Sequence, residues 1–376
     1  MKITILGDIC PTADTMERFL EPDAQGLFGD LLPTMQSCDL VVANLECALT
    51  DTPLPIDKAG PVLHAPVRCI EALRDAGVSV LSLANNHIRD CGTQGVLSTL
   101  QACDDVGIRT VGAGPSLADA RQPLVLEVAG QKVGIVAFAE HEFNFATHQR
   151  AGANWLDVYA DFDALRELRG QVDLLIVLYH GGIEYHPYPS PMLQRKCQKM
   201  AECGADVVLC QHSHCVGTIE HFDGSTIVYG QGNSLFGYRK GDDGWNTGMA
   251  ITIEMEAGTQ AQVSYQMMTM TPGGLRFLQP DADATGRHTL AERTAQVADD
   301  AFVEKQWVAF CRRQESLNLP LLLGWPRLLV VLNRHMGNVL VRLLLSRHRA
   351  NIVHNLLRCE AHHEVMDTIL QRYDFN

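Results

Sequence analysis

The chain has 376 residues, enough for one large globular domain and an extension. Its formal net charge of −14 at pH 7 argues against nucleic acid as the main partner. The twelve cysteines contain no C-x-x-C pair, which favours buried thiols in a reducing compartment over a disulfide framework.

The N-terminal apolar run, residues 3–9, is too short for a signal peptide and contains Asp8. We therefore expect it to form the first strand of the fold. The chain has no stretch of roughly 18 apolar residues, so the sequence predicts no transmembrane helix. Together these features predict a cytoplasmic protein, with a peripheral position at the membrane as the alternative.

Up to about residue 210, short apolar runs alternate with amphipathic stretches. The apolar runs are residues 3–9, 40–43, 78–83, 133–139, 174–178 and 207–210, and amphipathic stretches include 67–76, 95–106 and 191–203. This alternation predicts an α/β fold with largely buried sheets. In such folds, ligands bind beyond the carboxyl ends of the strands.

Between about residues 216 and 270 the pattern changes to strands joined by turns. Strands are predicted at residues 216–222, 226–229, 249–255 and 262–269. We expect these antiparallel strands to form a second sheet packed on the first. A linker is predicted near residues 280–286.

The tail from about residue 288 has the pattern of an all-helical region. Between Arg312 and Arg358, eight arginines stand against one acid, Glu315, which gives a local charge of +7. Apolar runs lie between them. Such helices can bind an anionic membrane surface or an anionic partner such as a synthase. A helical bundle docked on the acidic main domain, or an oligomer interface, is the more common outcome, and the sequence leaves the oligomeric state open.

Five groups of metal-ligand residue types follow the apolar runs. They are Asp8, Asn44-Leu45-Glu46, Asn85-Asn86-His87, His180-Gly181-Gly182 and Gln211-His212-Ser213-His214. Mixed oxygen and imidazole ligands at separate strand ends suit a site for two divalent ions, whether Zn²⁺, Mn²⁺ or Fe. Two ions about 3.5–4 Å apart clamp a phosphoryl group, so the predicted reaction is phosphoester hydrolysis.

Each group alone also has a structural interpretation. Asp8 can be a turn residue, and Asn85 with Asn86 can cap the helix predicted to start near Thr93. A glutamate at the mouth of a buried strand, such as Glu46, is costly unless it is paired or metal-bound. The combination of all five groups favours the metal site.

The order of these motifs resembles the CapA family. These are capsule and poly-γ-glutamate synthesis proteins within the calcineurin-like metallophosphoesterase superfamily. The resemblance covers roughly residues 1–240 and includes Asp90-Cys91-Gly92, Glu184-Tyr185 and the segment 229–236. It implies a four-layer α-β-β-α sandwich, which we place at residues 1–275, followed by a helical basic extension at residues 288–376.

The resemblance also implies a role for each motif residue. One metal would be held by Asp8, Glu46 and His214, and a second by Glu46, Asn86, His180 and His212. His87 would be the general acid, with Asp90 as its catalytic neighbour. The residues that would contact substrate or support the ligands are Asn44, Asn85, Glu184 and Asn233.

Two positions depart from the family pattern. The superfamily motif Asp-x-His reads Asp8-Ile9-Cys10 here, so one ligand of the first metal is a cysteine or is missing. Gly181 stands where the family tends to have tryptophan, which predicts a wider pocket beside His180.

Two functions remain open at this point. The first is a metal-dependent hydrolase of a phosphoester or polymer intermediate in capsule, exopolysaccharide or poly-γ-glutamate synthesis. The second is a non-catalytic accessory component of an envelope-polymer synthesis complex, bound to a synthase or membrane through its tail. A third function, that of a nucleotidase or nucleic-acid phosphodiesterase, is disfavoured by the acidic main domain, although small nucleotides stay open as substrates.

Overall fold

The structure, a computed structural model, describes residues 1–371. Internal contacts divide the chain into one unit, Met1–Trp307, and a second unit that begins at Val308. The domain boundaries inferred from the sequence, 1–275 and 288–376, stay a prediction. Residues 372–376 of the predicted extension lie outside the described residues.

Strands occur throughout the first unit. They are Lys2–Ile9 (β1), Leu40–Leu45 (β2), Ala48–Leu49 (β3), His64–Ala65 (β4), Val80–Ser82 (β5), Arg109–Val111 (β6), Ala113–Gly114 (β7), Leu124–Val128 (β8), Gln131–Ala139 (β9), Gly152–Ala153 (β10), Leu174–His180 (β11), Val207–Gln211 (β12), Ile219–Phe222 (β13), Ser225–Val228 (β14), Asn233–Leu235 (β15), Thr247–Glu254 (β16), Gln262–Thr271 (β17) and Gly274–Phe277 (β18).

Helices connect these strands and make up the end of the chain. They are Met16–Leu20 (α1), Ala24–Phe28 (α2), Leu32–Gln36 (α3), Ile70–Asp75 (α4), Gly92–Asp105 (α5), Leu117–Ala120 (α6), Asp161–Arg169 (α7), Pro191–Glu202 (α8), Asp243–Asn246 (α9), Pro280–Val297 (α10), Asp300–Leu322 (α11), Arg327–His335 (α12), Val339–Leu344 (α13), Arg347–Arg358 (α14) and Glu360–Gln371 (α15), with 3-10 turns at Gly29–Leu31 and Val67–Cys69. No helix within residues 1–371 has the length and apolar character that crossing a membrane requires.

Two large sheets organise the first unit. One has the strand order β18-β17-β16-β1-β2-β5-β6, and β15 pairs with the end of β1. The other has the order β13-β14-β12-β11-β9-β8. The central strands of each sheet run parallel, while β16–β18, β13 and β8 pair antiparallel at the margins.

Alternation along the strands determines which side chains fill each layer. Ile5 of the first sheet and Ile176 of the second belong to one large apolar cluster, which therefore joins the two sheets. The neighbouring residue Val177 faces the other way and packs in a second cluster with Leu168 of α7 and Met200 of α8. Helices α1–α5 pack with the first sheet through residues of the large cluster, such as Phe19 and Leu73. This arrangement confirms the predicted four-layer α-β-β-α sandwich.

Two details of the predicted chain path are wrong. The antiparallel strands β16–β18 extend the first sheet beside β1 instead of forming a sheet of their own. The second sheet is instead built around β9, β11 and β12 from the α/β half of the chain. The linker expected at residues 280–286 is the first part of α10, because proline is well suited to the first turn of a helix.

Candidate metal centre and active-site cleft

The carboxyl ends of the parallel strands from both sheets meet at one site. In the first sheet, Asp8 of β1 is in register with Asn44 of β2, and Glu46 follows β2 directly. In the second sheet, His180 ends β11 and is in register with Gln211, the last residue of β12. The strand-end groups identified in the sequence are therefore brought together by the topology.

Two groups of ligand atoms share one carboxylate, that of Glu46. Asp8, Glu46 and His214 form one group, and Glu46, His180 and His212 form the other, with the atoms of each within 4.8 Å of one another. Oε1 of Glu46 lies 3.4 Å from Nε2 of His180 and 4.0 Å from Nε2 of His214. All five side chains are buried. A carboxylate common to two ligand groups is the arrangement required of a bridging ligand.

Asn86 lies beside the second group. Its Oδ1 is 3.0 Å from Nε2 of His180, which places an amide oxygen next to the predicted imidazole ligand. Asn86 also lines the cleft that leads to the site. Its position agrees with the ligand role implied by the family resemblance, and that role stays a prediction.

Three polar atoms of this site have no hydrogen-bond partner among the described residues: both carboxylate oxygens of Glu46 and Nδ1 of His212. Buried polar atoms without partners are costly, and cation coordination satisfies both kinds of atom. The residues therefore fit divalent ions, and their oxygen and nitrogen donors suit Zn²⁺, Mn²⁺ or Fe.

Burial controls the protonation of the site. It raises the pKa of Glu46 well above its ordinary value, and the neighbouring Asp8 carboxylate raises it further. Burial lowers the pKa of His180 and strongly lowers that of His212, where the imidazoles of His180 and His214 act in the same direction. Neutral imidazole is the form that binds metal, so both histidines favour the ligating state.

The turn that carries two of the histidines is strained. His212 and His214 have φ values of +88° and +51°, in a region that residues with a Cβ seldom adopt. The backbone nitrogen of His212 donates to Oδ2 of Asp8 at 3.1 Å, and the carbonyl of Ser213 accepts from the backbone nitrogen of Tyr185 at 2.8 Å. Strain that surrounding contacts maintain is typical of functional sites.

Asparagines fix the orientation of the candidate ligands. Nδ2 of Asn44 donates to Oδ1 of Asp8 at 2.7 Å and lies 3.2 Å from Nδ1 of His180. Oδ1 of Asn233 lies 2.8 Å from Nδ1 of His214, and its Nδ2 donates to the carbonyl of Trp245 at 2.9 Å. These contacts leave Nε2 of each imidazole directed toward Glu46.

Asn85 holds the turn before the predicted general acid. Its Nδ2 donates to the carbonyl of Leu45 at 2.8 Å and to Oδ1 of Asn44 at 3.2 Å. Its own Oδ1 accepts a hydrogen bond from the backbone nitrogen of His87 at 3.1 Å. Asn85 is fully buried, so it supports the site from behind.

His87 is part of a buried chain of titratable groups. Its Nδ1 lies 2.6 Å from Oδ2 of Asp90, which also accepts from the backbone nitrogen of Leu63 at 2.7 Å. Nζ of Lys58 lies 2.6 Å from Oδ1 of Asp90, and both of these side chains are almost completely buried. Burial lowers the pKa of His87, and the hydrogen bond to Asp90 opposes this shift. Nε2 of His87 is 4.0 Å from Oε1 of Glu46.

A cleft of about 570 Å³ gives access to these groups. Its lining contains the predicted residues Asn86, His87, Glu184, His212 and His214. Several further lining residues were missed by the sequence analysis, among them Lys58, Glu142, Tyr185, Phe236, Arg239 and Trp245. Lys58, Arg239 and Trp245 lie in loops and a short helix away from the strand ends, so no spacing in the sequence marks them as neighbours of the site. Glu142, Tyr185 and Phe236 lie shortly after β9, β11 and β15, and the last two fall within segments that carry the family resemblance.

The structure resolves the two departures from the family pattern. Cys10 is buried with its Sγ 3.7 Å from the carbonyl of Pro11, and it belongs to neither ligand group formed by the described residues. A Cβ added to Gly181 would lie 2.4 Å from Cγ of Glu140. Because Glu140 fills this space, the wider pocket expected at Gly181 is wrong.

Comparison with known proteins adds a family context. The sequence profile described as "Bacterial capsule synthesis protein PGA_cap" matches residues 2–238. The chain is 27% identical over 255 residues to a capsule biosynthesis protein CapA of Bacillus anthracis, covering 65% of this chain and 61% of that protein. It is 28% identical over 259 residues to a PGA biosynthesis protein CapA of Bacillus subtilis (strain 168), covering 65% and 64% respectively.

Other similar proteins include a probable polyglutamine synthesis accessory protein of Mycobacterium tuberculosis, 27% identical over 226 residues that cover 56% of this chain and 60% of that protein. The chain therefore matches less than two thirds of the length of each of these three relatives. Among solved structures, a 5′-nucleotidase precursor from Thermus thermophilus is 13% identical with a TM-score of 0.44, covering 84% of this chain and 59% of that one.

Proposed function

The chain belongs to the bacterial capsule synthesis family PGA_cap, as its motifs predicted, and on this premise we propose that it is a metal-dependent hydrolase. Its substrate would be a phosphoester or polymer intermediate in capsule, exopolysaccharide or poly-γ-glutamate synthesis. Relatives named for capsule and PGA biosynthesis support the pathway, and the geometry of the cleft supports the reaction.

One observation carries the proposal. The buried carboxylate of Glu46, without a hydrogen-bond donor among the described residues, is shared by two ligand groups beside the His87–Asp90 pair. A purely structural glutamate at this depth would be paired by a donor or a cation. The same side chain is well placed to bridge two ions.

The ligand groups define what bound ions would contribute. Asp8, Glu46 and His214 would hold one ion, and Glu46, Asn86, His180 and His212 the other. When bound, a pair of divalent ions supplies Lewis acidity toward a phosphoryl oxygen and lowers the pKa of a water molecule. The rest of the chemistry is assigned to side chains of the cleft.

His87 is positioned to give a proton to the leaving oxygen. Its Nδ1 is engaged by Asp90, so Nε2 is the nitrogen that faces the ligand groups. Asp90 favours the protonated imidazole, and Lys58 compensates the charge of that carboxylate within the protein. Asp90 thus orients the imidazole and opposes the lowering of its pKa by burial, while Lys58 compensates the charge of Asp90.

The cleft also offers a cation to an anionic substrate. The guanidinium of Arg239 lies 3.1 Å from the ring centroid of Trp245, and among the described residues it forms no ion pair. Stacking on an indole holds a guanidinium in place while its donors stay accessible. Arg239 can therefore contact a phosphate or carboxylate of the substrate.

A specific observation favours a second candidate, a non-catalytic accessory protein. Cys10 replaces the histidine of the superfamily's Asp-x-His motif and lies outside both ligand groups formed by residues 1–371. A similar protein from Mycobacterium tuberculosis is named a probable accessory protein. On this view the site would be weakly metallated and the fold would serve to bind other components of a synthesis complex.

Metal content separates the two candidates. We expect elemental mass spectrometry to find about two ions per chain after reconstitution with Mn²⁺ or Zn²⁺. Glu46→Gln should lose both ions, because Glu46 belongs to both groups. The matched control is Glu184→Gln, which alters a carboxylate of the same cleft outside those groups and should keep wild-type metal content. Wild-type protein without metal would refute the hydrolase and favour the accessory role.

The role of His87 is tested by leaving-group chemistry. For a phosphodiester with a poorly acidic leaving group, His87→Asn should lower turnover roughly 10²- to 10⁴-fold, because general acid catalysis is lost. Hydrolysis of bis(p-nitrophenyl) phosphate should change far less, since p-nitrophenolate leaves without a proton. Metal content should equal that of the wild type. An equal loss for both substrates would contradict the general-acid assignment.

A further inference from the structure

The second unit, which begins at Val308, exposes apolar side chains on regular helices. On α12, Leu328 is 85% exposed, and Val331 and Leu332 are also exposed on the same side of the helix. Val330 and Asn333, on the opposite side, are buried. A helix on the surface of a globular protein normally has the reverse distribution.

The orientation of α12 is fixed by its polar inner residue. Oδ1 of Asn333 accepts a hydrogen bond from the backbone nitrogen of Val341 at 3.1 Å, at the start of α13. Nδ2 of Asn333 donates to Oδ1 of Asn338 at 3.0 Å, in the turn between the two helices. Rotating α12 to bury Leu328 would break both contacts and expose the apolar Val330. The outward apolar face is therefore built into the packing of this unit.

The apolar exposure continues along the following helices. Leu343 of α13 is 74% exposed, and Leu344 is also exposed. Ile352 and Leu357 of α14 are about half exposed. We call the exposed apolar residues of α12–α14 the tail face, which comprises Leu328, Leu329, Val331, Leu332, Val339, Leu343, Leu344, Ile352 and Leu357.

Arginines accompany the tail face with almost no acids. Arg327 and Arg334 are exposed at the two ends of α12, beside its apolar side. Glu315 is the one acid between residues 312 and 358, and it lies 3.8 Å from Arg342. Within residues 1–371, this is the one ion pair that the eight arginines of the segment form. With the three acids of α15 included, eight arginines stand against four acids over residues 308–371, which gives a net charge of +4.

We propose that the tail face docks on an anionic lipid surface. The apolar side chains would enter the boundary between headgroups and acyl chains, while the arginines contact lipid phosphates. An acidic protein would need an apolar surface beside its acids to match the tail face, whereas an anionic lipid boundary supplies both features. A second copy would place arginine against arginine, which disfavours association. The family match ends at residue 238, so this surface lies outside the matched segment.

Vesicle co-sedimentation of the full chain tests the proposal. We expect binding to phosphatidylcholine vesicles that contain phosphatidylglycerol, and little binding to pure phosphatidylcholine. Rising salt should weaken the binding, because exposed charges are screened. Arg327→Gln and Arg334→Gln should each weaken it about fivefold, since one arginine near an anionic surface contributes about that factor. Leu328→Glu should also reduce binding, because it removes apolar contact and adds a repelled charge.

Matched variants in the first unit control for general surface effects. Leu54→Glu changes an exposed leucine, and Arg74→Gln changes an exposed arginine. Both should bind vesicles as the wild type does. All variants should retain the wild-type circular dichroism spectrum, since the altered side chains are exposed.

Three outcomes would overturn the proposal. Equal binding to both vesicle types would remove the anionic lipid as the ligand. No vesicle binding, together with an oligomer that Leu328→Glu dissociates, would assign the tail face to a second copy. A monomer that binds no vesicles would refute the proposal that the tail face docks on lipid. Salt-sensitive binding of that monomer to an acidic protein would then identify the alternative partner.

Discussion

The candidate metal centre and the tail face differ in which side chains they bury. The centre buries polar side chains, and the tail face exposes apolar ones. At the centre, titratable side chains such as Asp8 and His214 are buried among other polar groups and are hydrogen-bonded by asparagines. On the tail face, leucines such as Leu328 are exposed beside arginines. Each region places side chains where folding alone would not favour them.

This contrast underlies the two proposals, that divalent ions complete the buried site and that an anionic lipid surface covers the tail face. Buried oxygens and nitrogens without partners favour a bound cation. Exposed apolar side chains beside arginines favour contact with an anionic lipid boundary. The rest of the first unit follows the ordinary rule, with leucine, isoleucine and valine side chains filling the space between the two sheets. The exceptions therefore point to function more clearly than the residues that obey the rule.

The sharpest test of the contrast compares one leucine from each region. Leu178 of β11 is 1% exposed in the core between the sheets, so Leu178→Ala should cost roughly 2–5 kcal/mol of unfolding free energy. Leu328→Ala, at an 85% exposed position, should change that free energy by no more than about 0.5 kcal/mol. Urea titration of both variants measures the difference through the unfolding midpoint at constant slope.

The stability of the Leu328→Ala variant decides whether the tail face is exposed in solution. A large loss of stability in Leu328→Ala would mean that the side chain is covered in solution, and the tail face would not be free to bind lipid. A small loss in Leu178→Ala would show that the space between the sheets relaxes around the missing atoms. The same substitution at both positions removes the same atoms, so environment alone separates the two results.

The sequence predicted the strands and the strand-end site because both depend on local patterns. Runs such as residues 174–178 and 207–210 fall within β11 and β12, and the polar residues at their ends meet at the cleft. Ligand sites of α/β folds form beyond the carboxyl ends of the strands, which is why polar residues at several strand ends predicted one shared site. The family and the four-layer fold followed from the same motifs.

The division of strands between sheets was not predictable from local patterns. β16 pairs with β1 across more than two hundred residues, so its position depends on long-range contacts. Lys58 was missed for a related reason, because it reaches Asp90 from a loop that carries no strand-end pattern. The space at Gly181 was misjudged because Glu140, on a different strand end, occupies it.

A smaller effect, on metal affinity, is expected from removing the asparagine that orients the proposed ligand His214. Asn233 directs His214 through a 2.8 Å contact, so Asn233→Ala should weaken metal binding by roughly 10- to 100-fold while every proposed ligand is retained. Competition with a chelating dye measures this affinity. Asn246→Ala is the matched control. Asn246 is also buried, but its side chain hydrogen-bonds the backbone of Arg239 and not a proposed ligand. The metal affinity of this variant should therefore stay near that of the wild type. Equal losses in both variants would mean that general loosening of the cleft, not the orientation of His214, controls the affinity.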